Sequence, residues 1–138
     1  MKYENYENAA KYILARADAK DFIQYTVDVV KENDSDDFDF RKWVNLYIEK
    51  LPTLNLSRLE SFIIINKIRE LLENEDGSHS APIDSFLDDI YTRHTGDYPI
   101  TEVLKFRNEP EDWKELSDFI HSEAWLQDTS WSKHVKPK

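Results

Sequence analysis

Ser57-Arg58-Leu59-Glu60-Ser61-Phe62-Ile63-Ile64-Ile65-Asn66-Lys67-Ile68-Arg69-Glu70-Leu71-Leu72-Glu73-Asn74 decides the fold. Ser57 followed three residues later by Glu60 has the spacing of a capping box, in which each side chain accepts from a backbone amide that the first turn leaves without a partner. From Leu59 to Leu72 the apolar residues recur at helical spacing. They cover more than one stripe, so a helix from Arg58 to about Asn74 needs neighbours on at least two sides. Its longest uninterrupted apolar run, Phe62-Ile63-Ile64-Ile65, is far too short to span a membrane. The stretch therefore predicts an all-α protein: a compact bundle of about six helices around a central apolar helix, residues 58–74.

Working outward, glycine occurs only twice, at Gly77 and Gly96, which leaves room for long helices. Toward the N-terminus, Tyr6, Ala9, Ala10, Ile13 and Ala17 form a stripe on a first helix from Glu4 to Arg16. Asp18 with Asp21 reads as the cap of a second helix reaching about Lys31. Here Tyr25-Thr26-Val27-Asp28-Val29 also alternates like a strand. Glu32 to Asp39 is an acidic loop, after which Asp39 can cap a third helix carrying Phe40, Val44, Tyr47, Ile48 and Leu51, ended by Pro52. Toward the C-terminus, Asp76-Gly77 stops the central helix. Pro82 suits the first turn of a fifth, with Ile83, Phe86, Leu87, Ile90, Tyr91 and His94 on one face and Gly96 closing it. A sixth begins at Pro110 and turns Trp113, Leu116, Ile120 and Ala124 inward. These elements predict one domain over 1–126 and a polar, basic, flexible tail over 127–138.

The chain has 138 residues, with 28 acidic and 18 basic side chains and a net charge of −10. Three lysines fall in the last six positions (Lys133, Lys136, Lys138), so the body is more acidic than the whole. Such a field repels a phosphate backbone, which argues against direct nucleic-acid binding, and it accelerates the approach of a basic protein. Many acidic domains carry their charge for solubility alone. Cysteine is absent, which removes disulfides and thiolate metal sites. No apolar leader stands at Met1–Tyr6 and no membrane span is evident, so a cytoplasmic address is expected.

Motifs with chemistry are scarce. Two isolated glycines cannot form a phosphate-cradling loop. No Gly-x-Ser-x-Gly elbow occurs, and His79, His94, His121 and His134 show no metal-ligand or His-Glu-x-x-His spacing. The run Asp34-Ser35-Asp36-Asp37-Phe38-Asp39 suggests a calcium loop. That motif requires glycine where Asp39 stands and glutamate where Asn45 stands, and it fails at both. Neither a catalytic group, nor a metal, nor a cofactor is assigned.

What stands out is acid interleaved with aromatic: Asp36-Asp37-Phe38-Asp39, Asp97-Tyr98-Pro99, and Glu109-Pro110-Glu111-Asp112-Trp113. Interfaces concentrate energy in aromatic anchors while surrounding charges steer approach. The alternative packs Trp113 and Phe38 inside, with their acidic neighbours in water. Asp97-Tyr98-Pro99 is similar to a tyrosine-rich turn of the colicin immunity proteins, small acidic helical proteins that block nuclease toxins. The resemblance covers only those residues, and the surrounding helix lengths depart from that family. The reading is an acidic protein-binding module for a basic partner, of the immunity or inhibitor kind, with Asp34, Asp36, Asp37, Asp97, Tyr98, Glu109, Glu111 and Asp112 as contact residues. Two alternatives remain open: an anti-defence protein or DNA mimic of phage type, and a small helical enzyme or ligand-binding protein with a pocket.

Overall fold

A computed structural model of the chain describes residues 6–95, with side chains through Arg93. Those residues form five α-helices and one 3₁₀ turn, with no strand among them. They are α1 (Tyr6–Leu14), α2 (Ala17–Asn33), α3 (Arg41–Lys50), the turn Leu51–Leu54, α4 (Arg58–Leu72) and α5 (Ala81–Thr95). The fold is all-α, and none of these helices is long and apolar enough to cross a membrane. The expected sixth helix and the tail over 127–138 lie outside the described residues.

Helix α4 opens as its sequence predicts. Glu60 N–H donates to Ser57 Oγ at 3.2 Å, and Ser57 N–H donates to Glu60 Oε1 at 2.9 Å. The box gives Oε1 of Glu60 a backbone donor, which helps a carboxylate to sit 1% exposed at the start of an apolar helix. Every residue from Leu59 to Ile65 is buried. A helix hides consecutive positions only when covered on several sides, and α4 packs against α1, α2 and α5. It ends two residues earlier than the sequence suggests: Glu73 is extended, at φ −65° and ψ 139°.

Helix α2 settles the strand alternative in favour of helix. Phe22, Ile23, Thr26, Val27 and Val30 are buried while Tyr25 and Asp28 are exposed, which is a helical stripe. Thr26 is accommodated by donating Oγ1–H to Phe22 O at 2.9 Å. Asp18 is not the cap. The N-cap is Arg16, without a side-chain bond, and Asp18 lies inside the first turn, where it pairs with Arg16 at 2.7 Å. A carboxylate there gains from the helix dipole and the guanidinium together. Ala17, expected on the stripe of α1, instead begins α2 and is exposed.

The start of α3 also differs. Asp39 does accept the Arg41 amide at 3.1 Å, but Phe40 holds the cap position. The α-helix ends at Lys50, just ahead of Pro52 as expected, and Pro52 falls in the 3₁₀ turn that follows, which ends at Asn55 in the left-handed region (φ 52°). Trp43, which the apolar spacing of α3 passed over, is 2% exposed and belongs to the core.

Aromatic rings join the layers. Phe86 of α5 meets Trp43 and Tyr47 of α3 edge-on, at centroid distances of 5.9 and 6.2 Å. Phe62 of α4 is flanked by Tyr6 at 6.4 Å and Tyr91 at 5.9 Å. Such edge-to-face pairs add to plain area burial and fix the relative rotation of the helices.

Candidate functional site

Two connections meet at one end of the bundle. The α2–α3 loop (residues 34–40) and the α4–α5 loop (residues 73–80) are tied where Ser80 Oγ–H donates to Asp34 Oδ1 at 2.8 Å. That bond joins residues 46 positions apart and gathers the acids of both segments. Asp34, Asp36, Asp37 and Asp39 come from the first loop, Glu73, Glu75 and Asp76 from the second, and all are exposed. Some are engaged locally. Arg41 holds Asp39 at 2.9 Å, and Ser78 donates to Asp76 through its hydroxyl at 2.6 Å and its amide at 3.1 Å. These contacts hold both carboxyls below their usual range. Asp36 and Asp37 stand in solvent.

The opposite end is mixed in sign. Arg16, Lys20, Lys50 and Arg58 lie on the α1–α2 junction, the end of α3 and the start of α4. Arg16 also ties that end together by donating to Leu54 O at 3.3 Å. Helix α2 alone separates the two ends by about 25 Å, well beyond the screening length at physiological salt. At the loop end the acids outnumber Lys31, Arg41 and Lys42, whereas the opposite end is mixed, so the described charge is more negative at the loop end.

Of the sequence-derived contact residues, Asp34, Asp36 and Asp37 fall in this acidic end. Asp97, Tyr98, Glu109, Glu111 and Asp112 lie outside the described residues, as does Trp113. Phe38, the aromatic within the acidic run, stacks on Trp43 at a centroid distance of 4.6 Å and an interplanar angle of 21°. It serves the loop as an internal peg, as the packing alternative holds, with Lys42 Nζ 5.7 Å from its ring centre.

A cleft adjoins the acidic end that no sequence motif announces. It has a volume of about 410 Å³ and lies between the last turn of α4, the 73–80 loop and α5. Arg69, Glu73, His79, Asp84, Asp88 and Tyr91 supply its polar lining. A smaller cleft of about 280 Å³ lies between α1 and α4 and shares Arg69 and Glu73 with the first.

His79 builds one wall. At the end of α4 the Glu73 amide donates to Glu70 O at 3.3 Å rather than to Arg69 O. The Arg69 carbonyl, left over by the helix end, lies 3.0 Å from His79 Nε2. A carbonyl only accepts, so Nε2 carries hydrogen. Nδ1 lies 3.5 Å from Asp84 Oδ1, and the side chain is 9% exposed. His79 thus caps α4 and shapes the cleft, whereas its sequence setting suggests only a loop residue. Asp84, at the fifth-helix entrance, is the partner that no local spacing could reveal.

Tyr91 is buried, and burial pushes its hydroxyl pKa up against the opposing pull of the Arg69 guanidinium. Arg69 is half-buried; its Nε is buried without a hydrogen bond, and it forms no ion pair among the described residues. No group of three or more His, Asp or Glu capable of holding a metal ion occurs among the described residues. No family model, curated protein or solved structure matches the chain.

Proposed function

We propose that the chain is an acidic protein-binding module that recognises a basic partner, of the immunity or inhibitor kind, through its acidic end. The observation carrying this reading is the Ser80–Asp34 hydrogen bond, which fuses two acidic loops into one negative surface remote from the mixed end. Negative potential concentrated on one face steers a cationic protein into register, while the same charge spread evenly would serve solubility only. Asp34, Asp36 and Asp37 are contact residues in this reading, together with Asp97, Tyr98, Glu109, Glu111 and Asp112. The proposal includes a sixth helix from Pro110 that completes a bundle centred on α4, and a cytoplasmic setting. Neither catalysis nor direct nucleic-acid binding forms part of it. A DNA mimic calls for two parallel rows of acids along an elongated surface; the gathering of carboxylates at one end supports the inhibitor reading over that one.

The test starts from capture on the full chain from the source cell at low salt, with bound proteins identified by mass spectrometry. A basic nuclease or comparable cationic protein is the expected partner. Its affinity for the Asp34→Lys, Asp36→Lys, Asp37→Lys variant should then fall about tenfold or more, and raising the salt should narrow the difference. Equal affinity of the two chains at low salt refutes the electrostatic account.

A second reading is favoured by a specific observation: the cleft at Arg69 has the volume of a small-ligand site and a few convergent polar groups. In that reading the module binds a small molecule, alone or beside its partner.

A further inference from the structure

We infer that the cleft between the end of α4 and α5 binds a basic amino-acid group, a carboxylate and a side-chain cation on one ligand. The inference rests on the small-ligand reading and names its ligand class. It does not depend on the acidic loop.

The fold leaves several opposite charges apart around this cleft. Arg69 lies in the last turn of α4 and Glu73 just past its end, where the backbone turns extended, and the two form no ion pair among the described residues. Both line the cleft. The buried Arg69 Nε lacks a hydrogen-bond acceptor, and the guanidinium is met by the neutral Tyr91 hydroxyl rather than by a carboxylate, so its charge is left uncompensated. Across the cleft, Asp84 and Asp88 stand one turn apart on the same face of α5, both exposed. Asp88, like Glu73, has no cation paired with it among the described residues. Asp84 has only the His79 ring, at 3.5 Å.

One fork-shaped cation and three carboxylates thus face a single space of about 410 Å³. A purely anionic ligand would satisfy Arg69 and be repelled by the rim. A simple amine would satisfy the rim and leave Arg69 as it is. A ligand carrying one carboxylate and a net positive charge meets both demands. Its carboxylate accepts from the guanidinium of Arg69, the geometry that arginine recognises best. Its ammonium or guanidinium side chain meets Asp84 and Asp88. A free basic amino acid and the C-terminal basic residue of a polypeptide share this chemistry.

The experiment follows backbone amide shifts of Gly77, His79 and Asp88 in the full chain on titration with L-arginine. Saturable shifts are expected. Agmatine, which lacks the carboxylate, and citrulline, which lacks the side-chain charge, should each bind about tenfold more weakly or worse, as befits loss of one charge-assisted interaction. Arg69→Met should abolish arginine binding, and Asp84→Asn with Asp88→Asn should weaken it at least comparably to citrulline. The two aspartates are exposed, so that double variant keeps the test alive should Arg69→Met fail to fold. A tripeptide ending in arginine, compared with its C-terminal amide, separates the sources: tighter binding of the free acid than of L-arginine assigns the site to a chain end. Agmatine binding as well as L-arginine, or unchanged affinity in the double variant, overturns the inference. Glycine or glutamate shifting the same amides while L-arginine does not would overturn it and keep the small-ligand reading. Silence of those amides toward every one of these compounds removes both.

Discussion

Tyr91 donates its hydroxyl hydrogen to Oδ1 of Asn66 at 2.6 Å. The same amide donates through Nδ2 to the hydroxyl of Tyr6 at 2.7 Å, so one side chain of α4 fastens α5 on one flank and α1 on the other. Both tyrosines are buried, and a buried hydroxyl without its partner costs more than the bond contributes when made. Asn66→Ala should lower stability by about 2 kcal/mol, since it removes two interhelical hydrogen bonds at once. Tyr91→Phe, which removes one hydroxyl and leaves Asn66 part-exposed, should cost about 1 kcal/mol. Urea denaturation of both variants checks the ratio; equal losses would mean that Asn66 does not bridge the helices.

Burial of those hydroxyls also sets an alkaline limit. Desolvation pushes Tyr6 up to about 12 from an ordinary 10.0, and it raises Tyr91 and Tyr47 as well. In the unfolded chain these phenols ionise near their ordinary value, while in the folded chain they stay neutral. Their contribution is complete below pH 10.0 and is lost as pH climbs toward 12, because only the unfolded state releases protons in that window. Tyrosinate absorbance from the three rings should thus appear together with loss of helical circular dichroism. Gradual ionisation well before unfolding would contradict the packing.

How much of this was legible beforehand follows from the reach of each signal. The capping box of α4 depends on residues three apart, so Ser57 and Glu60 declare it in the sequence. The α2 stripe was legible too, although five residues imitate a strand, because Phe22 to Val30 hold helical spacing over a longer window. Asp18 misled because an acid with a second acid three residues on imitates a cap. The Arg16 guanidinium, two residues away, recruits it instead. Of the acidic end, the Asp34 to Asp39 run is visible as composition, but its union with the 73–80 loop depends on a contact across 46 residues. The cleft was illegible for the same reason. Arg69, His79 and Asp84 converge only once α4 ends and the chain reverses at Gly77, whose φ of 82° suits glycine.

The aromatic junction yields a steeper effect. Phe86 is fully buried and meets both Trp43 and Tyr47 edge-on, so truncation opens a cavity walled by rigid rings that cannot collapse into it. Phe86→Ala should cost about 3–5 kcal/mol, the upper range for a core truncation. Phe86→Leu should recover about half of that, since most of the volume returns without the ring contacts. Thermal unfolding of the pair separates cavity from aromatic geometry. A loss below 1 kcal/mol in the alanine variant would mean that α3 and α5 do not pack through this residue.

The acidic loop has two independent restraints, and their relative strength is testable. Ser80 grips Asp34 from the α4–α5 connection through an exposed hydrogen bond, the weaker kind, because water competes for both groups. Phe38 stacks on Trp43 over a part-buried contact, and its amide also closes a turn onto Ser35 O at 3.0 Å. Ser80→Ala should leave global stability within about 0.5 kcal/mol while speeding amide exchange at residues 35–38. Phe38→Ala should accelerate exchange further and cost about 1–3 kcal/mol, because the stacked ring is largely removed from water. If the aromatic peg orients the carboxylates, Phe38→Ala will also weaken capture of a basic partner despite leaving every charge in place. Native affinity in that variant, with exchange at 35–38 accelerated, would show that the charges of the loop suffice without its shape.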